Sequence, residues 1–463
     1  MDYSGYSYWL ETCGDDLTPR PALAGTRTVD VAILGAGYSG LWTAYYLLQR
    51  DPSLRVAVVE AEIAGFGASG RNGGWCYAGF PVSLGALAER FGREQARATV
   101  LAMRETVAEI ARVCTDEGIN AQIAASGVLR IARGPEQVPA LAQAMATYEQ
   151  FGLADGYQQL SAAETAERLR VSRALGAIWA RDGLTIHPAR LVRGLARAVE
   201  RRGGVIYERS PVTAFQASGD GGDRPRLVTA GGEVRAQAIV LAGEAYLARF
   251  AQFRRQVLPL YSLIALTEPL SDAQWATIGW AGRECVSSNR YVVDYLQRTA
   301  DGRILFGSRG APYRHGARIR DEYDRHGPTH ARIGQLLRAW FPSLQDVRIT
   351  HAWGGPFNVP RDWMPTVAHD RASGIATARG YGGQGVATAH LAGRTLAELL
   401  TGTASARTSL PFVGHRSPDW EPEFLRWLAV RLMLPSYARI DARARWSGTP
   451  PTGRTLTERL GGH

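Results

Sequence analysis

Three glycine-dense stretches of this chain have the residue types and spacing to hold phosphates and a redox ring, and one acid stands where a ribose would need it. The first, Gly35-Ala36-Gly37-Tyr38-Ser39-Gly40, fills the G-x-G-x-x-G spacing directly after the short apolar run from Val29 to Leu34. Gly35 permits a tight turn, Gly37 leaves room for a pyrophosphate, and Gly40 lets the following helix approach the strand. The helix N-terminus offers N–H groups and the positive end of a dipole to the phosphates. Glu60 ends V-A-V-V-E, 20 residues beyond Gly40 and just before Ala61, in position for the two hydroxyls of an adenosine ribose. The second stretch, 65–75, supplies Gly67, Ala68, Ser69, Arg71, Asn72, Gly73 and Gly74. The third supplies Gly380, Tyr381, Gly382, Gly383, Gln384, Gly385 and Val386 and opens a helical pattern. One pyrophosphate needs one such loop. A further loop feeding a helix suits FAD, whose isoalloxazine ring must be seated too and whose N1–C2=O edge gains negative charge on reduction.

The elements that position these loops belong to two interleaved domains. Val29–Leu34, 56–60 and the A-I-V-L-A-G run ending in Ala242 and Gly243 read as buried parallel strands of a nucleotide-binding sheet. H-P-A-R-L-V-R-G-L at 187–195 starts a helix with proline near its first turn and His187 as its cap, and the strand after it is expected to present the Val212 backbone to adenine. From Leu84 to Tyr148 the pattern is helical, with one strand pair at 127–132. Beyond 251 the texture changes to strands separated by turn residues, as in an antiparallel sheet. The expected fold is α/β: a Rossmann-like FAD-binding domain (1–83, 151–250, 353–405) interleaved with an antiparallel-sheet α+β substrate domain (84–150, 251–352), then a C-terminal helical tail (406–463). In that tail 418–435 is an amphipathic, basic helix candidate, expected to pack its apolar stripe on its own domain rather than on a membrane surface.

Composition narrows the partners. All 53 basic side chains are arginine, so no Schiff-base lysine exists and no lysine ammonium can stand beside a flavin. The arginines are spread along the chain with no nucleic-acid-binding signature, so the net charge of +10 reads as solvated surface rather than as a nucleic-acid site. Cys13, Cys76, Cys114 and Cys285 show no metal or disulfide spacing, which fits a reducing cytoplasm and predicts no metal. No apolar run is long enough to span a bilayer, and the N-terminus lacks the pattern of a secretory signal. Nothing in the sequence sets an oligomeric state.

S-Y-W-L at 7–10, A-E-I-A-G-F-G-A-S-G-R-N-G-G-W at 61–75, H-P-A-R-L-V-R-G-L at 187–195, T-A-D-G-R-I-L-F-G at 299–307 and G-Y-G-G-Q-G-V-A at 380–387 together resemble the D-amino-acid-oxidase superfamily of FAD-dependent oxidoreductases, in particular its γ-glutamylputrescine oxidoreductase-like branch. The resemblance implies two domains, tight FAD, and oxidation of an amine C–N bond by hydride transfer to flavin N5, giving an imine and then an aldehyde with release of amine or ammonia. Relatives that act on α-amino acids clamp the carboxylate with two arginines. An ungapped match puts Phe357 and Gly383 at those positions, which implies an amine whose polar or anionic group is distal, such as a polyamine conjugate, an ω-amino acid or an aminophosphonate. Tyr261, Arg309, His351 and Trp353 are the candidate catalytic-site residues, with Arg290 and Tyr291 as further pocket candidates. Covalent members attach FAD through a cysteine on the strand matching 349–356; none stands there, so the FAD is expected to be non-covalent, Cys76 being a small packed residue. Some amine oxidases of the superfamily use a lysine in oxygen activation. Without one, the electron acceptor is oxygen or another acceptor, and two alternatives stand beside the amine oxidoreductase: a dehydrogenase serving a partner or quinone, and a non-catalytic FAD scaffold.

Overall fold

Runs of β-branched and aliphatic residues too short for helices make the central sheet. A computed structural model describes residues 2–219, 223–309, 311–451 and 455; the side chains of Arg309 and Leu434 lie outside the described set. Val31–Leu34, Val56–Val59 and Ala238–Leu241 are buried at every position, as strands covered on both faces must be. They form a six-stranded sheet in the order Thr366–Asp370, Ile375–Arg379, Ala238–Leu241, Val31–Leu34, Val56–Val59, Val205–Tyr207, parallel except at the Thr366–Asp370 edge. Alternation then sorts the side chains. Ile33, Val58 and Val240 pack with Leu41 and Trp42 of the helix Tyr38–Arg50, Leu191 and Leu195 of Pro188–Arg201, and Leu391 and Leu396 of Gly385–Leu400. Ala32, Val59, Ile239 and Leu241 pack the other way, on Leu227 and Val234 of a small four-stranded sheet. Val212 starts a strand of this small sheet, Val212–Gln216, rather than one of the nucleotide-binding sheet. The close helix–strand contact depends on Gly40, where a Cβ would stand 2.0 Å from the Gly35 carbonyl oxygen.

The second domain is an eight-stranded sheet ordered Ile349–Val359, Leu258–Thr267, Ile304–Arg309, Asp294–Arg298, Cys285–Ser288, Val128–Ala132, Gly176–Ala180, Tyr157–Ser161. Neighbours are antiparallel except Cys285–Ser288 and Val128–Ala132, which run parallel and join two antiparallel halves. Ile333, Leu337 and Trp340 of the helix Gly327–Trp340 back it against Leu263, Ala265, Leu296 and Phe306. This topology departs from the sequence reading at one strand and two expected boundaries. Residues 127–132 hold one strand whose partners are remote in sequence, not a local pair. Tyr157–Ser161 and Gly176–Ala180 extend this sheet, so the return to the nucleotide-binding domain comes after 180 rather than at 151. Ile349–Val359 runs unbroken through the boundary expected at 352. Tyr157–Ser161 misleads because it is a polar edge strand with one buried residue, Leu160.

The C-terminal helix is longer than its apolar pattern indicates, spanning Glu423–Ser447 with Pro435 inside it. Its packing is divided: Val430 is buried on Leu258, Tyr313, Phe357 and Val359, whereas Phe424, Leu425, Leu428 and Leu432 are exposed. Among the described residues no helix is long and apolar enough to cross a membrane.

Candidate active site

Residues of both domains enclose a cavity of about 530 Å³. Gly35, Gly37, Tyr38 and Ser39 line it from the first loop; Gly67, Ala68, Ser69, Arg71, Asn72 and Gly73 from the second; Tyr381, Gly383, Gln384, Gly385 and Val386 from the third. Glu60, Ala61, Val212, Ala242 and Gly243 complete that side. The other expected cofactor residues shape the loops from behind. Ala36 donates its N–H to Glu60 Oε2 at 2.7 Å, Gly40 packs on Gly35, and Gly74, Gly380 and Gly382 take φ of +71°, +88° and +56°, the left-handed region that their turns require.

The chemistry of this side fits FAD. The helices Tyr38–Arg50 and Gly385–Leu400 both begin at the cavity with no capping bond from their own N-cap residues, and although Ser69 Oγ accepts the Tyr38 N–H at 2.9 Å, their positive dipole ends face the cavity to meet anionic groups. The Glu60 carboxylate accepts N–H groups from Ala36 and from Glu62 (3.0 Å), and burial raises its pKa against their pull. A Cβ on Gly37 would come within 3.0 Å of Ser69 Oγ, so the groove there is open only because no side chain fills it. Gln384 Oε1 is buried with no hydrogen-bond partner among the described residues, an acceptor for a donor that a ligand brings. A larger cavity, about 860 Å³, lies at the sheet edge around His369, Arg379 and His415. It contains none of the three loops and shares no lining residue with the first, so the chemistry is assigned to the smaller one.

Two of the lining residues, Glu244 and Arg71, also carry structural roles that spacing does not reveal. Glu244, at φ +48°, accepts N–H groups from Gly380 (3.0 Å), Asn358 (3.3 Å) and Tyr381 (3.4 Å) and so pins the third loop to both domains. Desolvation pushes its carboxyl up to about 7 despite those three donors. Arg71 is committed to protein partners: its guanidinium pairs with Asp324 at 2.5 Å, donates to Tyr246 Oη at 2.7 Å and lies over the Phe66 ring. Burial pushes Asp324 up to about 6 even beside that arginine.

The remaining wall is made of side chains. Ser262, Ile264, Ser287, Ser288, Val293 and Tyr295 line it from the eight-stranded sheet and its turns, with Gly355, Pro356 and Phe357 from the edge strand. Trp75 and Tyr77 join them from Trp75–Tyr77, a short strand paired with Gly183–Thr185. None of these residues is charged; the charged residues that line the cavity, Glu60, Glu62, Arg71, Glu244, Arg249 and Asp321, come from segments outside these strands. The Tyr295 ring fills the space that glycine leaves at two places, since a Cβ on Gly73 would come within 2.3 Å of it and one on Gly307 within 2.0 Å. Its hydroxyl shares a hydrogen bond with Ser262 Oγ at 2.9 Å, and Trp75 meets it edge to face at 6.0 Å.

The expected catalytic set is not gathered here. Ser262 and Ile264 face the cavity, so strand alternation turns Tyr261 away; its hydroxyl accepts the Arg320 N–H at 3.2 Å. Trp353 is buried under the second loop, donating to the Arg71 carbonyl at 2.9 Å. His351 is farther along the strand, bonded to Glu11 at 3.1 Å and Thr350 at 2.8 Å. The Arg309 backbone pairs with Ser262, and its side chain lies outside the described residues. Arg290 and Tyr291 sit just behind the wall in the turn that precedes Asp294. His187 caps its helix, accepting the Arg190 N–H at 3.2 Å. Cys76 is fully buried in the core beside the nucleotide-binding sheet and does not line the cavity.

Residues 30–399 match the family described as DAO, FAD dependent oxidoreductase. The γ-glutamylputrescine oxidoreductase of Escherichia coli is 32% identical over 420 residues, 89% of this chain and 94% of that protein. A probable oxidoreductase OrdL of Rhizobium meliloti is 30% identical over 87% of this chain and 89% of its own length. In fold, the chain is similar to glycine oxidase from Geobacillus kaustophilus, with a TM-score of 0.69 at 20% identity, covering 85% of this chain and 100% of that one.

Proposed function

Because the chain belongs to the DAO family of FAD-dependent oxidoreductases, we propose that it oxidises the C–N bond of an amine that carries no carboxylate on the reacting carbon and bears its polar or anionic group at a distance. The observation that carries this reading is the uncharged wall. Phe357 and Gly383 both line the cavity where an amino acid oxidase would place its two arginines, and the two described arginines that do line it, Arg71 and Arg249, come from other segments, Arg71 already paired with Asp324 and Tyr246. The γ-glutamylputrescine named for the Escherichia coli relative is such an amine.

The three loops would hold FAD, with Glu60 at the ribose, the N-terminus of Tyr38–Arg50 at the pyrophosphate and that of Gly385–Leu400 at the ring. Bound there, FAD supplies a two-electron acceptor for the hydride leaving the amine carbon. The chain's own residues orient the substrate: Tyr295, Trp75 and Tyr77 form an aromatic corner for an alkylamine chain, and Ser262, Ser287 and Ser288 offer hydroxyls to a distal amide or hydroxyl group. Together they exclude water and fix the reacting carbon, which is what hydride transfer asks of a protein. The four cysteines are buried and unpaired, in keeping with the cytoplasm as its compartment. A second reading, favoured by the absence of lysine, passes electrons to an acceptor other than oxygen.

The test is anaerobic. Purified protein should be yellow, release FAD on acid denaturation, and be bleached by γ-glutamylputrescine but not by glycine, sarcosine or D-alanine. Flavin that no amine bleaches would leave only the scaffold. Dye reduction with negligible oxygen uptake would select the second reading.

A further inference from the structure

The C-terminal helix Glu423–Ser447 lies beyond the residues that match the family, yet it reaches the substrate wall at two places. Val430 is buried against Phe357, a lining residue. Three turns further on, Asp441 accepts the N–H groups of Tyr291 and Val292, one on each carboxylate oxygen and both at 3.0 Å. Arg290 Nε stands 3.6 Å from that carboxylate, and the same guanidinium reaches Asp294 at 3.8 Å. Asp294 accepts the N–H of Ser288 at 3.0 Å and its hydroxyl at 2.6 Å. Ser288, Val293 and Tyr295, which bracket this turn, all line the cavity.

A buried acid on a helix otherwise half exposed has a specific cause here. The turn 289–293 links two strands of the wall, and its Tyr291 and Val292 N–H groups take their acceptor from outside the sheet. One carboxylate, 150 residues away in the chain, satisfies both and adds a charge contact to Arg290.

We propose that the C-terminal helix is an outer wall of the substrate chamber and that Asp441 is a positioning residue, setting the 289–293 turn and through Ser288, Val293 and Tyr295 the shape that admits the amine. The proposal rests on the reading of the sheet side as the substrate end. FAD, held by the other domain, should not sense Asp441.

Asp441→Asn keeps the size of the side chain but leaves one acceptor oxygen for two donors. In holoprotein, hydrogen exchange of the Tyr291 and Val292 amides should quicken about ten- to a hundredfold, the equivalent of one lost hydrogen bond to a charged group. FAD content and the rest of the exchange profile should stay as in the parent. Anaerobic titration with γ-glutamylputrescine should show the concentration for half-maximal flavin reduction raised about tenfold, with the limiting rate changed less than about twofold. Asp441→Glu, which retains both oxygens, should recover part of each effect. Unchanged exchange at 289–293 in both Asp441→Asn and Asp441→Ala overturns the proposal. So does quickened exchange across the whole chain or loss of FAD, which would make the helix a general brace. If γ-glutamylputrescine fails to bleach the parent protein, the proposed function falls, and exchange at 289–293 still decides whether Asp441 holds the turn.

Discussion

The cofactor cradle and the substrate wall face one cavity and are built from different material. In the cradle the contacts come from backbone: glycines with no room for a Cβ, N–H groups at two helix starts, and carboxylates at Glu60 and Glu244 that fix loops through main-chain N–H groups. On the wall they come from side chains projecting from several strands, with Tyr295 packed into the spaces left by Gly73 and Gly307 and the C-terminal helix bracing the turn behind. A side chain can be exchanged at modest cost, but a backbone contact cannot be exchanged at all. The cradle should therefore fail abruptly on substitution, whereas the wall should change its preference by degrees.

The largest expected effect is in the cradle. Gly40→Val would drive a Cβ to within 2.0 Å of the Gly35 carbonyl and should yield little folded protein. Gly37→Leu meets the softer Ser69 side chain at 3.0 Å and should fold yet carry less than about a tenth of the parent's FAD. Gly37→Leu with full FAD would break the contrast at its root. On the wall, Tyr295→Phe removes one hydroxyl partner of Ser262 and leaves the ring in place. It should retain full FAD and weaken amine binding about tenfold, a loss of roughly 1–1.5 kcal/mol; equal FAD loss would move Tyr295 into the cradle.

Legibility follows the same division. Glycine spacing and the acid 20 residues on are local patterns, so the first loop, Glu60 and the family resemblance could be read from one sequence. The wall depends on strand parity and on partners far apart in the chain. Tyr261 and Ser262 differ by one residue and face opposite ways, and no periodicity in L-P-L-Y-S-L-I-A-L-T tells which of the two meets the ligand. Trp353 has an inviting position and is buried by Arg71 and Trp9. Glu244 follows a readable strand, but its role needs N–H groups from two remote segments.

A further expected effect sharpens the comparison through pH. Glu244 has its carboxyl raised from 4.5 to about 7 in the folded protein, so folding binds protons between those values. Stability relative to Glu244→Gln should be greatest below about pH 4.5, fall as pH rises to about 7, and stay level above. Thermal unfolding of the two proteins across that range checks it; parallel curves would mean that Glu244 is not desolvated.

The most direct test of the account is the preference of the wall itself, measured as the second-order rate of anaerobic flavin reduction by γ-glutamylputrescine against that by glycine. Absence of two charge-assisted hydrogen bonds to a carboxylate amounts to about 3–6 kcal/mol, so the amine should be favoured by roughly two to four powers of ten. A ratio near one, or one favouring glycine, would contradict the reading of Phe357 and Gly383 as an uncharged wall.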